Sequence, residues 1–193
     1  MQTIPSTRAT RRAALVALAI LPLGLPATAS ASTAPPAEVA SELPGAALLG
    51  SGRLTFLGLR VYEARLWSDD SFRADPFDRA PIAIEVGYSR ALRGRLIAER
   101  SLEEMRRSGP IAEAQAARWL AAMTQLFPDV NAGDRLTGVL RPGESARFFL
   151  NGKLLGEVRD SEFAKRFFGI WLSPKTSEPS LRESLIGTPK VGS

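Results

Sequence analysis

The 193-residue chain contains no cysteine and no histidine. The first absence excludes disulfides, thiol nucleophiles and thiolate metal sites. The second removes Ser-His-Asp and Cys-His machinery together with the commonest metal ligand, so any catalysis must run on Arg, Tyr, Lys, Ser, Thr or carboxylates. Nothing in this inventory calls for a cofactor or a metal. Acidic residues are missing from the first 31 positions, which carry Arg8, Arg11 and Arg12, then an apolar run from Ala13 to Leu25, then Ala27-Thr28-Ala29-Ser30-Ala31. This order predicts a secretory signal peptide over 1–31, cut after Ala29 or Ala31.

The chain also lacks an apolar run of the roughly 20 residues that a spanning helix needs, and Pro22 and Pro26 shorten the helical part further, so no stable membrane anchor is expected. Arg11-Arg12 after Thr10 partly matches a twin-arginine signal, which leaves that route open beside ordinary export. Without the three leader arginines the formal charge falls from +5 to +2, with 22 basic against 20 acidic side chains. Basic and acidic residues are interspersed, which reads as a mixed solvated surface and gives no footing for nucleic-acid binding.

The chain is long enough for one well-buried domain. Residues 32–47 are small, polar and proline-bearing, a flexible lead-in; the domain is expected over 48–187, followed by a tail at 188–193. Strand formers around Gly58 predict a hairpin of about 53–57 and 59–67. Ile82, Ile84, Val86 and Tyr88 alternate with Ala83, Glu85 and Gly87, a strand with one buried face. The pattern turns helical at 90–107, with Leu92, Leu96 and Ile97 on one side and a restart suggested by the capping-box spacing of Ser101 and Glu104.

Ser108-Gly109-Pro110 breaks that helix. A second follows at 113–127 with a buried stripe of Ala116, Leu120, Met123 and Phe127. Strands are expected at 135–140, 146–150 and 153–158, the last pair joined by a type I′ turn at Asn151-Gly152. Asp160 or Ser161 caps a helix whose Phe163, Phe167, Ile170 and Trp171 share a face, and Pro179 opens a short helix ending at Gly187 with Leu181 and Leu185 inside. About six strands in antiparallel groups and four helices indicate an α+β fold, one sheet with helices on one face.

Three segments, GSGRLTFLGLRVYEARLW (50–67), NAGDRLTGVLRPGESARFFLNGKLLGEV (131–158) and FAKRFFGIWLSPKTSEPSLRESLIG (163–187), together with the order of elements, resemble the chalcone isomerase-like family in its bacterial exported branch. The resemblance implies an open-faced β-sandwich, an antiparallel sheet covered by a layer of helices with an apolar cleft between them. Plant members of the family cyclise chalcones, and non-catalytic relatives bind fatty acids. Both uses call for one fixed cation in the cleft.

Carried over by that resemblance, Gly50-Ser51-Gly52-Arg53 places Arg53 as the anion clamp, and Tyr62 stands where the isomerases have a catalytic threonine and the fatty-acid binders a tyrosine. The water-holding tyrosine and asparagine of the isomerases fall on Ala112 and Trp119, and a substrate-reading hydroxyl falls on Ile170. The residues alone also allow Arg53 as a surface arginine, Tyr62 as a core tyrosine and Tyr88 as a core residue. Glu103-Glu104 and Asp69-Asp70 lie in a helix face and a loop with no sign of a catalytic pairing.

The leading expectation is a non-catalytic periplasmic protein that binds a small apolar acid, such as a fatty acid, through Arg53, Tyr62 and Ile170. An isomerase or intramolecular lyase of conjugated carbonyl compounds, and an assembly factor whose cleft is filled by its own side chains, are the alternatives. Export is directly testable: N-terminal sequencing from the native host should find a start at Ser30 or Ser32 in the soluble periplasmic fraction, and an intact leader in the cytoplasm would contradict it.

Overall fold

The computed structural model describes residues 34–187, so the expected signal peptide and the tail at 188–193 lie outside the described residues. Six strands form one antiparallel sheet in the order of the chain: β1 (Ala47–Phe56), β2 (Leu59–Ser68), β3 (Ile82–Tyr88), β4 (Arg135–Arg141), β5 (Ser145–Leu150) and β6 (Lys153–Val158). Five helices accompany it: α1 (Ala37–Glu42), α2 (Gly94–Arg106), α3 (Glu113–Leu126), α4 (Ser161–Leu172) and α5 (Pro179–Ile186). The α+β class and the single open sheet agree with the sequence.

Alternation along the strands divides the sheet's side chains into two sets. Leu66, Ile82, Ile84, Val86, Leu140 and Phe148 join the main core with residues of α2 to α5. Trp67, Ala83, Val139 and Phe149, their neighbours in sequence, form a second cluster with Val39 and Leu43. The stretch expected as a flexible lead-in therefore carries a docked helix and the start of β1, and helices occupy both faces of the sheet. Glu38 holds α1 in place: Arg135 Nη2 donates to its Oε1 at 2.8 Å and Thr137 Oγ1 at 2.9 Å, with Glu38 only 5% exposed.

β1 begins well before the expected position 53 because its glycines serve packing. A Cβ on Gly50 would lie 2.2 Å from the carbonyl oxygen of Ser184, so only glycine lets α5 lie this close to the strand. The expected break at Ser101 is absent. α2 is continuous, and Ser101 Oγ donates back to the Ile97 carbonyl at 2.8 Å instead of capping a new helix. Its N-terminus is capped from a distance, the Gly94 amide donating to Asp129 Oδ1 at 2.8 Å.

The stripe of α3 holds for Ala116, Met123 and Phe127, with Leu120 half-buried; Trp119 is buried too, its indole donating to Asp160 Oδ2 at 2.8 Å. Asp160 caps α4 as expected, accepting from the Phe163 amide at 3.0 Å. On α4, Phe163 and Phe167 are buried as predicted and are joined by Phe168 and Leu172, while Ile170 and Trp171 are half-buried. The Phe148 ring meets Phe127, Phe163 and Phe167 edge-on, at centroid distances of 5.1, 6.3 and 5.0 Å. Phe148 is fully buried, so Phe148→Ala should cost about 3–5 kcal/mol by denaturant titration. A loss below about 1 kcal/mol would mean that the rings do not hold helix to sheet.

Candidate functional site

A cleft of about 470 Å³ opens between the helix layer and the β1–β2–β3 half of the sheet. Leu54, Tyr62, Val86 and Tyr88 face it from the strands, Ile97, Arg100 and Glu104 from α2, and Phe167, Ile170 and Trp171 from α4. Such a lining, mainly apolar with a few polar groups, suits a small amphipathic ligand. A more open depression of about 520 Å³ is lined by Arg141, Arg147, Glu157 and Arg159 among others. Its arginines are already paired, Arg141 and Arg147 with Glu42 and Arg159 with Glu157.

Of the three residues assigned from the sequence, Tyr62 and Ile170 line the cleft and Arg53 does not. Leu54 pairs with Tyr62 and both turn to the cleft, so the next pair, Arg53 with Glu63, turns to the opposite face. There Arg53 makes an ion pair with Glu63 at 3.4 Å and its side chain is 62% exposed. A carry-over one residue out of step on a strand is enough to move a side chain through the sheet.

The assignment of the water-holding pair is likewise displaced. Ala112 precedes α3 and Trp119 is buried against Asp160, and neither lines the cleft. Of α2 and α3, it is α2 that faces the cleft, with Ile97, Arg100, Ser101 and Glu104. Their replacement in the sequence therefore says nothing about this cleft.

Two groups that the sequence placed in the core and on the apolar face of a helix belong to the site. Tyr88 is 7% exposed and lines the cleft opposite Tyr62, its partner across the strands; the rings meet edge-on at 6.4 Å. Trp171 Nε1 donates to the Tyr62 hydroxyl oxygen at 3.1 Å. The Tyr62 oxygen thus accepts from the protein, and among the described residues neither phenol proton has a protein acceptor. The cross-strand pairing of 62 with 88 was the available signal for Tyr88; the Trp171 contact depends on helix placement and leaves no local mark.

Burial pushes the Tyr62 phenol up from 10.0 to about 12, against the smaller opposing effect of the Trp171 hydrogen bond; Glu178 and Glu104 push the same way and Arg100 opposes them. Tyr88 is also raised, first by burial and then by Tyr62. Both phenols are therefore hydrogen-bond donors at neutral pH and poor bases. Arg100 reaches Glu103 at 3.1 Å and Glu104 at 2.5 Å, and Arg90, also on the cleft wall, makes no ion pair among the described residues.

The chain has two tyrosines, so a tyrosinate absorbance titration reads this site alone. Little signal should develop at pH about 10.5, where a solvated phenol is more than half ionised. Because the folded value is raised, the stabilisation from Tyr62 is complete below pH 10.0 and is lost as pH rises towards about 12. Ionisation of both groups near pH 10, with the fold intact, would contradict their burial.

A profile of the chalcone isomerase-like family matches residues 47–187. An uncharacterized protein of Haemophilus influenzae is 25% identical over 142 residues, which covers 74% of this chain and 68% of that protein. Among solved structures, a fatty-acid binding protein of Arabidopsis thaliana superposes with a TM-score of 0.59 at 15% identity, covering 74% of this chain and 87% of that one. The six-stranded sheet with its helix layer is thus a fold shared with that protein. With the family profile spanning nearly all of the described residues, the chain belongs to the chalcone isomerase-like family.

Proposed function

We propose that the protein is a non-catalytic periplasmic binder of a small apolar acid, such as a fatty acid, held with its tail against the cleft wall and its carboxylate on Tyr62 and Tyr88. The observation that carries this reading is the apolar cleft into which both phenols turn with their protons unclaimed by the protein. A carboxylate accepts two such bonds, and charge-assisted bonds of this kind are the strong ones. Arg90 on the cleft wall makes no ion pair among the described residues and supplies positive charge in place of Arg53, whereas Arg100 is shared with Glu103 and Glu104.

The fatty-acid binding named for the Arabidopsis thaliana neighbour is consistent with this assignment. Phenols with raised pKa values stay protonated at neutral pH and can donate to a carboxylate. The periplasmic placement rests on the leader-like pattern of residues 1–31.

Titration with a long-chain acid should show one site per chain. Tyr62→Phe should weaken it about tenfold to a hundredfold, the usual worth of a hydrogen bond to a charged group. Arg100→Ala should weaken it too, and Arg53→Ala should leave it unchanged. Failure of the acid to bind, or a loss with Arg53→Ala equal to that with Tyr62→Phe, would contradict the assignment. Rapid chalcone turnover abolished by Tyr62→Phe would replace it with the isomerase.

A further inference from the structure

The rim of the cleft has a composition that ligand binding inside it does not require. The β1–β2 hairpin ends in Phe56-Leu57-Gly58-Leu59, with Phe56 66%, Leu57 85% and Leu59 57% exposed. Leu96, in the first turn of α2, is 50% exposed, and like Phe56 it also lines the cleft. These four, with Leu154, are the large apolar side chains most open to water among the described residues.

The turn itself is costly. Leu57 has φ 48 and Gly58 φ 76, the left-handed pair of a type I′ turn. The other such turn in this chain places Asn151 at φ 50 before Gly152 at φ 86, with the asparagine that this conformation favours. Leucine at the equivalent position is conformationally unfavourable and fully presented to solvent, so neither folding nor solubility accounts for it.

The two stretches of chain next to the tip carry charge of one sign, while Glu104 and Glu178 lie further along the cleft wall. Residues 51–62 contain Arg53 and Arg60, residues 86–98 contain Arg90, Arg93 and Arg95, and neither stretch contains an acid. The two stretches are neighbours: the Ser89 amide donates to the Val61 carbonyl at 2.9 Å, which sets Arg90 beside Arg60. Arg53 and Arg95 are paired, with Glu63 and Glu99. Arg60, Arg90 and Arg93 are exposed and make no ion pair among the described residues. Like charges gathered around an apolar projection are stabilised by an anionic partner.

From this juxtaposition we infer that the hairpin tip docks the protein on an anionic lipid bilayer, Phe56, Leu57 and Leu59 entering the headgroup boundary while Arg60, Arg90 and Arg93 meet lipid phosphates. A projecting apolar turn ringed by arginines fits that surface, where apolar burial and attraction to anionic lipid add. Among the described residues no helix is long and apolar enough to cross a membrane. Docking by the tip brings the cleft mouth to the lipid, where an apolar ligand can pass without crossing water. The inference goes beyond the proposed function and does not depend on which ligand the cleft holds.

Because the chain has no cysteine, Leu57→Cys and Glu144→Cys each accept a single environment-sensitive fluorophore. Position 144 lies in the β4–β5 turn at the other end of the sheet and reports any contact not made through the tip. Both variants keep residues 1–33, so a contribution from that segment is common to the pair. With vesicles of phosphatidylcholine and phosphatidylglycerol, the label at 57 should shift to the blue and the label at 144 should not, and phosphatidylcholine alone should give a weaker response. Adding Arg60→Glu and Arg93→Glu to the Leu57→Cys chain should weaken partitioning by at least about fivefold per arginine. An unchanged label at 57, an equal shift at 144, or indifference to the two charge reversals would overturn the inference. A shift at 57 that grows with protein concentration in the absence of vesicles would overturn it in favour of a second copy of the chain.

Discussion

A chain of aromatic contacts fixes the geometry on which the cleft depends. It starts in the core where Phe148 of β5 meets Phe167 of α4 at 5.0 Å, passes to Trp171 one turn along at 5.6 Å, and reaches the Tyr62 hydroxyl through the indole hydrogen bond of 3.1 Å. Tyr88 completes it across the strands. Each step joins rigid groups with few rotamers, so the position of the helix layer over the sheet is transmitted to the phenol that faces the cleft. The same rings that stabilise the domain thereby orient its polar donors.

Strand alternation is the second constraint, and it divides the labour between the faces of the sheet. On the helix-covered side, β1 to β3 present Leu54, Tyr62, Val86 and Tyr88. On the other, the same strands present Arg53, Glu63, Arg65 and Glu85, which pair among themselves. Docking of α1 buries part of this second face through Val39 and Glu38, leaving an ion-pair surface that does not open into the cleft. The cleft is therefore apolar with tyrosines as its innermost donors, and its arginines come from α2 and from the chain that leads into it.

What could be read from the sequence follows from how local each signal is. Asn151-Gly152, Asp160 before α4 and the Pro179 and Gly187 boundaries are set by neighbouring residues, and the structure places each as expected. The alternation at 82–88 marks the strand but not its second buried face, since Ala83 and Glu85 are covered as well. The lead-in, by contrast, has the composition of a loose segment, and its short helix is held by contacts nearly a hundred residues away at Arg135 and Thr137. Gly50 and Gly52 weaken the strand signal at the start of β1 because they serve the approach of α5. Of the site, Tyr62 and Ile170 were legible. Arg53 falls on the face of the sheet turned away from the cleft, and Tyr88, Trp171 and Arg100 meet in the cleft only through the tertiary fold.

A cleft that the protein leaves open for an apolar acid should be found occupied by one. Native mass spectrometry of the protein purified from its host without detergent addresses this most directly. The expected result is a population carrying one apolar acid per chain, which disappears when Ile170→Trp fills the cleft while the fold is retained by circular dichroism. Recovery of the chain without any such ligand, or an adduct that survives Ile170→Trp undiminished, would contradict it.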